Sequence, residues 1–322
     1  MRMALKSRTK SLGRPVAEVS HAAKVGGRAR KPWKFIALFL GPVMVFYAIF
    51  VLYPLLATIY YSFHTIAPFQ GKLVTSFVGL ENYSELIKDK IFIQSVKNTL
   101  LWSIAGPVIE MGTALALAFL VYFKVPLNRF YRVAWFTPML VSGVIVGLIF
   151  RWIFNFDWGL LNVTLRAIGL DELAMNWLGR RDTPIWVVIF VHYWSTFGYS
   201  FILLLAGLTA IPVELIDAAK IDGANMWQAI RKVMLPLLSP TFITVLILSF
   251  MGKMRAFHIV WVLTGGGPMH FSETVATYVQ KRAFAWRTLD LGYPSAIAVV
   301  WFGVVIIGVG LLNRYLRSRY KI

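Results

Sequence analysis

The chain has no cysteine, and only 14 of its 322 residues are Asp or Glu. The first absence excludes disulfides, thiolate metal sites and a cysteine nucleophile. The second goes with a low share of charged residues. Charged residues make up 15% of the chain and hydrophobic residues 58%, whereas a soluble domain carries about 25% charged residues. A soluble core cannot bury that much apolar surface, so the composition predicts an all-α membrane protein. Nucleotide-binding motifs are missing as well: neither GxGxxG nor GxxxxGK[ST] occurs, and the Gly265-Gly266-Gly267-Pro268 run lacks the P-loop lysine. No repeat relates the two halves, which argues against the many secondary carriers built on one.

What is abundant is positive charge, 33 Lys and Arg for a net +19. Such a surplus fits a nucleic-acid binder, but its location argues otherwise. Ten of these bases and one acid, Glu18, fall in the first 34 residues, against the first apolar run. That is the positive-inside pattern of a membrane protein. Residues 1–32 therefore read as a basic cytoplasmic tail, disordered by composition, and 33–322 as the membrane domain. The apolar runs predict six spans, at about 33–63, 98–123, 132–154, 184–208, 237–262 and 294–316, each with the ~20 apolar residues a crossing needs. Lys124, Arg129 and Arg132 without an acid, and a C-terminus rich in Arg, put those segments and both termini in the cytoplasm. Loops 64–97, 155–183 and 263–293 then face outside. Asn82 and Asn162 each open an Asn-x-Ser/Thr sequence, and His192 and His258 show no ligand spacing.

The polar island 209–236 falls between spans four and five, on the cytoplasmic side. Pro212 suits a first helical turn, Glu214 and Asp217 favour the helix N-terminus, and Gly223 is a stop signal. The pattern predicts one helix over 212–222 and a second over 224–235, ended by Pro236. Ala218 and Ala219 leave room for close approach to a partner. An amphipathic helix resting on lipid headgroups accounts for the same pattern.

Within the spans, Lys253 and Arg255 lie deep in the fifth, and Glu110 is the only acid inside any span. A base at membrane depth is costly and needs a reason. Either the two pair with a neighbouring acid, or they line a watered path and attract an anionic group. A carrier driven by protons or sodium would need a cluster of carboxylates, which Glu110 alone does not make.

Asp217-Ala218-Ala219, Ile221-Asp222-Gly223-Ala224 and the closing Met234-Leu235-Pro236 resemble the EAA loop of permease subunits of binding-protein-dependent ABC importers, with Asp in place of Glu. Leu263-Thr264-Gly265-Gly266-Gly267-Pro268, Leu291-Gly292-Tyr293 and Trp194…Gly198…Ala206-Gly207-Leu208…Ile211-Pro212 resemble the maltose-type sugar branch of that family. The resemblance implies six transmembrane helices with a cytoplasmic coupling helix pair, in the bacterial inner membrane. It implies a second homologous permease, an ABC ATPase dimer that binds ATP and Mg, and an extracytoplasmic solute-binding protein. Asp217, Ala218, Ala219, Gly223 and Pro236 would couple to the ATPase. Ser249, Gly252, Lys253 and Ala256, with Phe197, Gly198 and Phe201 on the preceding span, would contact the saccharide, and Arg255 would share the path. A lysine at 253 points to an acidic, uronate-type saccharide; neutral oligosaccharides or polyols are the alternative.

Overall fold

The structure is a computed structural model, and it describes residues 33–69, 72–285 and 290–320. The expected basic tail 1–32 lies outside the described residues. The chain divides into two compact units, Met1–Leu52 and Tyr53–Ile322. The described part of the first is helix α1 (Trp33–Tyr47) and a π-helical turn, Ala48–Leu52. The second begins with α2 (Tyr53–Tyr61) and a hairpin, β1 (His64–Phe69) and β2 (Lys72–Phe77), paired antiparallel with His64 opposite Phe77. Helices follow: α3 (Glu81–Lys88), α4 (Lys90–Tyr122), α5 (Asn128–Phe136), α6 (Gly143–Ile153), α7 (Leu160–Ala167) and α8 (Pro184–Thr209). Then come α9 (Val213–Ile221), α10 (Met226–Ala229), α11 (Leu235–Met254), α12 (His258–Leu263), α13 (Val275–Gln280) and α14 (Gly292–Tyr320).

Five helical runs among the described residues are long and apolar enough to cross a membrane: Ala37–Tyr61, Lys90–Tyr122, Pro184–Thr209, Met226–Met254 and Gly292–Ser318. A sixth exists if the pair Asn128–Leu140 and Gly143–Ile153, bent by 97°, is one span. The expected third span is therefore broken. Pro138 sits in a 3-10 turn, Thr137–Leu140, and Val141 beyond it is extended, as a residue that cannot donate a helical N–H tends to force. The fifth span also differs from expectation. It begins eleven residues early, at Met226, and stops at Met254, after which α12 leaves on a new course to pack against α6. The hairpin in the expected loop 64–97 had no sequence signal strong enough to predict it.

Contacts set the directions. Trp102 and Glu110 of α4 meet His192 and Ser200 of α8, so α4 and α8 run parallel. Leu238 and Thr241 of α11 lie over Gly207, and Ser249 reaches Glu110, so α11 runs back. Trp301 Nε1 of α14 donates to the Met254 carbonyl at 3.0 Å, and Gly308 lies against Phe250, so α14 is antiparallel to α11. One end of this unit thus carries the hairpin, loop 155–183 and residues 255–285; the other carries α9. The apolar core is in three clusters. Met111, Ala114, Phe201, Leu204, Leu208, Ile216 and Leu238 fill the α9 end. Trp102, Val146, Val188 and Ile259 join α4, α6, α8 and α12. Met254, Tyr278, Tyr293 and Ile297 join α11, α13 and α14.

Buried polar side chains tie the loop end together. Asn82 donates to the Ser62 and His64 carbonyls, and Asn162 bonds Phe156, Met175 and Trp177. Both asparagines of the sequon-like triplets are buried staples. Asp89 caps α4, accepting from the Ile91 and Phe92 N–H groups at 2.8 and 3.1 Å, and also accepts from the Tyr278 and Tyr293 hydroxyls. Burial works to raise its pKa, but the bonds from Tyr278, Tyr293 and the two backbone N–H groups outweigh burial and hold it below the ordinary value.

Asp89→Asn keeps an Oδ1 acceptor for the cap but removes the charge to which both hydroxyls donate, and is expected to destabilise the protein by about 1–3 kcal/mol, read as a lower Tm in detergent. Because the folded pKa is depressed, the wild-type contribution is complete above the ordinary carboxylate value of about 4 and is lost as pH falls through the folded value. The difference in Tm between wild type and Asp89→Asn should therefore shrink on acidification below about pH 4.

Candidate functional site

Where α4, α8 and α11 come together, a cavity of 260 Å³ opens between them. Glu110 lines it from α4, His192, Thr196, Tyr199 and Ser200 from α8, and Ser249, Gly252 and Lys253 from α11; Met139 closes it from the turn after α5. The α8 residues stand at helical spacing on one face. At its base Glu110 and Lys253, each 2% exposed, form an ion pair. Lys253 Nζ also donates to Ser249 Oγ at 2.8 Å, Ser249 Oγ donates to Glu110 Oε2 at 3.0 Å, and Ser200 Oγ donates to Glu110 Oε1. The carboxylate is thus held by three donors on two helices. Unpaired charges are not tolerated at such burial, whereas a pair with its remaining hydrogen bonds satisfied is.

Sequence explains how Lys253 gets there. Its stem crosses α4 at Gly106, where an added Cβ would lie 2.7 Å from Lys253 Cε and 2.9 Å from Cδ. Any other residue at 106 would obstruct the route to Glu110. Lys253 also sits in the last turn of α11, where the helix dipole favours a cation.

Ser249, Gly252 and Lys253 therefore line one cavity. The other expected path residues do not join them. Phe201 is fully buried in the core, edge-on to Trp135 at 5.6 Å. Gly198 is pressed to the α5 backbone, an added Cβ falling 2.5 Å from the Trp135 carbonyl oxygen. Phe197 is buried against Tyr193. The reason is rotational: the α8 face towards the cavity runs through 192, 196, 199 and 200, and 197, 198 and 201 face protein. Ala256 lies past the end of α11 and packs with the α6–α8–α12 cluster. Arg255 points into a separate groove between α11, α13 and α14. Of the two bases deep in the expected fifth span, Lys253 follows the pairing alternative, with Glu110, and Arg255 is in none of the ion pairs among the described residues. His192, Thr196, Tyr199 and Ser200 were missed; a polar stripe of i, i+4, i+7 and i+8 in an apolar span was the available signal.

At the opposite end, α9 begins after Pro212 and ends before Gly223, whose φ of +82° is the left-handed value glycine takes readily. Asp217 pairs with Lys220 at 2.9 Å, both exposed. Ala218 is exposed and Ala219 half-buried, while Ile216 anchors the helix in the core. The second expected helix is real but does not end at Pro236. Asn225 and Gln228 form a reciprocal capping box for α10, which continues through a π-helical turn, Ile230–Met234, into α11. Pro236 sits in the first turn of α11, and the π turn before it shifts the hydrogen-bond register, so its missing N–H does not break the run.

A bundle of membrane-length helices around a buried polar cavity defines a polytopic membrane protein, and the helix pair at one end narrows the class further. Residues 109–322 match the family described as the inner membrane component of binding-protein-dependent transport systems, and the chain belongs to it. It is 35% identical over 277 residues to the probable ABC transporter permease YurN of Bacillus subtilis, covering 85% of this chain and 92% of that one. It is 30% identical over 286 residues to SmoG of Agrobacterium fabrum, a sulfoquinovosyl glycerol transport system permease, covering 88% and 90% of the two chains. Among solved structures, a chain of a bacterial alginate ABC transporter in complex with its pentasaccharide-bound periplasmic protein superposes with a TM-score of 0.77 at 22% identity, over 90% of this chain and 96% of that one. At that identity the likeness establishes the fold.

Gly106→Ala should drive the Lys253 stem aside and lower stability by about 1–3 kcal/mol. Gly112→Ala, on the same helix with open space at its Cβ position, should be neutral or stabilising by up to about 1 kcal/mol, since alanine is the better helix former. Thermal unfolding of both variants in detergent checks this; equal Tm values would contradict the close approach at Gly106.

Proposed function

We propose that the chain is the permease subunit of an ATP-driven importer for saccharides, forming half of the translocation path in the bacterial inner membrane. The observation that carries this reading is the cavity between α4, α8 and α11. Its polar lining is hydroxyls, an imidazole and a charge pair that cancels, a set suited to a polyhydroxyl solute. Relatives whose names specify starch degradation products, trehalose and maltose, or arabinooligosaccharides support a saccharide. Ser249, Gly252, Thr196 and Tyr199 are the proposed contacts. Lys253 does not support a preference for an acidic sugar, because its ammonium is already bound to Glu110. The reading here is recognition through hydroxyls, with neutral oligosaccharides or polyols accommodated as well as acidic ones.

In this reading the chain catalyses nothing itself. ATP and Mg belong to an ATPase dimer, a second permease completes the path, and a solute-binding protein delivers the saccharide from outside. Both termini and α9 lie in the cytoplasm. The helix α9, with Asp217, Ala218 and Ala219 and the Gly223 turn, docks on the ATPase; the exposed Ile221 and Trp227 beside it, at 86% and 67%, extend an apolar surface for that contact. Because α10 runs without a break into α11, movement at the docking helix is carried towards Ser249 and Lys253 by one rigid rod.

Two experiments test this. Asp217→Lys and Gly223→Pro should leave the subunit inserted and assembled but abolish saccharide-stimulated ATP hydrolysis by the whole complex; normal stimulation in both would remove the docking role from α9. Thr196→Val and Tyr199→Phe should each weaken the apparent affinity for imported saccharide several-fold, as expected for about 0.5–1.5 kcal/mol per neutral hydrogen bond, at unchanged membrane expression. Neutral and acidic sugars of one size should lose alike.

A further inference from the structure

The groove that Arg255 enters is not part of the cavity. It has a volume of 720 Å³ and is walled by Met251 and Met254 of α11, Val275 of α13, and Trp301, Phe302 and Val305 of α14. All of these side chains are apolar except for the Trp301 N–H, and that is already donated to the Met254 carbonyl. The guanidinium of Arg255 is exposed on this chain and takes part in none of the ion pairs among the described residues. The acids that could serve it are engaged elsewhere: Glu110 holds Lys253, Glu273 holds Lys281, and Asp89 holds two tyrosines. The bond between Trp301 and Met254 sets the depth. It puts Arg255 level with a residue nine positions past the start of α14 at Gly292, roughly 13 Å along a helix rising 1.5 Å per residue. At that level of the candidate span Gly292–Ser318, a guanidinium left facing lipid is costly unless it is paired.

We infer that this groove is the seat of a transmembrane helix of the second permease subunit, and that the helix carries a carboxylate at the level of Arg255. The inference rests on the two-permease reading above and adds the contact and its chemistry. Charge complementarity supplies the argument. None of the ion pairs among the described residues includes Arg255, so an acid for it has to come from outside them. Arginine suits such a contact because its planar fork binds a carboxylate through two parallel bonds, and the apolar walls would be covered by the same helix that satisfies it. Arg255 thus acts as a recognition residue for the partner subunit and not as a ligand of the transported sugar.

The test uses the assembled transporter in native membranes. A photocrosslinking p-benzoylphenylalanine replacing Phe302 samples the groove, and one replacing Trp186, exposed on α8 outside it, is the control. The expected result is a crosslink from position 302, and not from 186, to a membrane-spanning peptide of the second permease that contains Asp or Glu. Arg255→Glu should reduce recovery of the second permease at least tenfold, Arg255→Lys, which keeps the charge but not the fork, should reduce it less, and Arg255→Glu combined with Lys or Arg at the mapped acid should restore it. Crosslinks from 302 to lipid alone, to a second copy of this chain or to the binding protein would overturn the proposal, as would normal assembly of Arg255→Glu with only uptake impaired. A second permease that copurifies with wild type but crosslinks elsewhere defeats the groove assignment and leaves the function standing; no copurifying permease at all defeats both. The crosslink is read on the Arg255 background, so misfolding of a charge variant does not decide the outcome.

Discussion

An ionised carboxylate and an ammonium group, both almost fully buried, cannot be held apart among apolar helices. Desolvation penalises each alone, and only their mutual attraction with satisfied hydrogen bonds makes the burial tolerable. Glu110 and Lys253 are such a pair, and much of the larger unit is arranged around them. The pair fixes the rotation of α4 relative to α11, and Ser200 brings α8 into the same network. Gly106 is the opening through which the lysine stem passes. Once those three helices are set, the polar stripe on α8 and the residues 249, 252 and 253 of α11 face one another across the cavity.

The same helix decides what lies on its other side. Because α11 stops at Met254, Lys253 and Arg255 emerge on different flanks of its last turn, one towards the cavity and the other towards α14. The break is matched by the bend between α5 and α6, since α12 turns aside to pack on α6. The bend between α5 and α6 contributes Met139 to the cavity wall, while the uninterrupted run from α10 through α11 joins the cavity to the opposite end. Rigidity and irregularity are divided between the two ends of the unit, with the charge pair at the boundary.

The membrane class, the approximate spans and the α9 turn were legible because they depend on local signals: apolar runs of sufficient length, a helix-starting Pro212, a left-handed Gly223. The hairpin and the early end of α11 were not, because each depends on packing that composition does not encode; Pro138 at the 97° bend did not stand out from Pro42, Pro107 and Pro240, which lie inside helices. Pro236 shows the limit clearly. Read as a helix end, it is carried through by a π turn that no local pattern announces. The family resemblance also placed Phe197, Gly198 and Phe201 in the path, whereas the rotation of α8 turns them towards protein. Glu110 itself was recognisable as the single acid available inside the spans, but whether it would take Lys253, Arg255 or neither was a three-dimensional question.

If the charge pair is what organises α4, α8 and α11, its two members must depend on one another. A double-mutant cycle on Glu110→Gln and Lys253→Met, followed by thermal unfolding of the purified protein, measures that dependence. Each single change leaves one buried charge uncompensated and should cost about 3–5 kcal/mol, whereas the double change should cost far less than their sum. Strictly additive losses would mean that the two groups do not depend on each other, and that the cavity is positioned by something else.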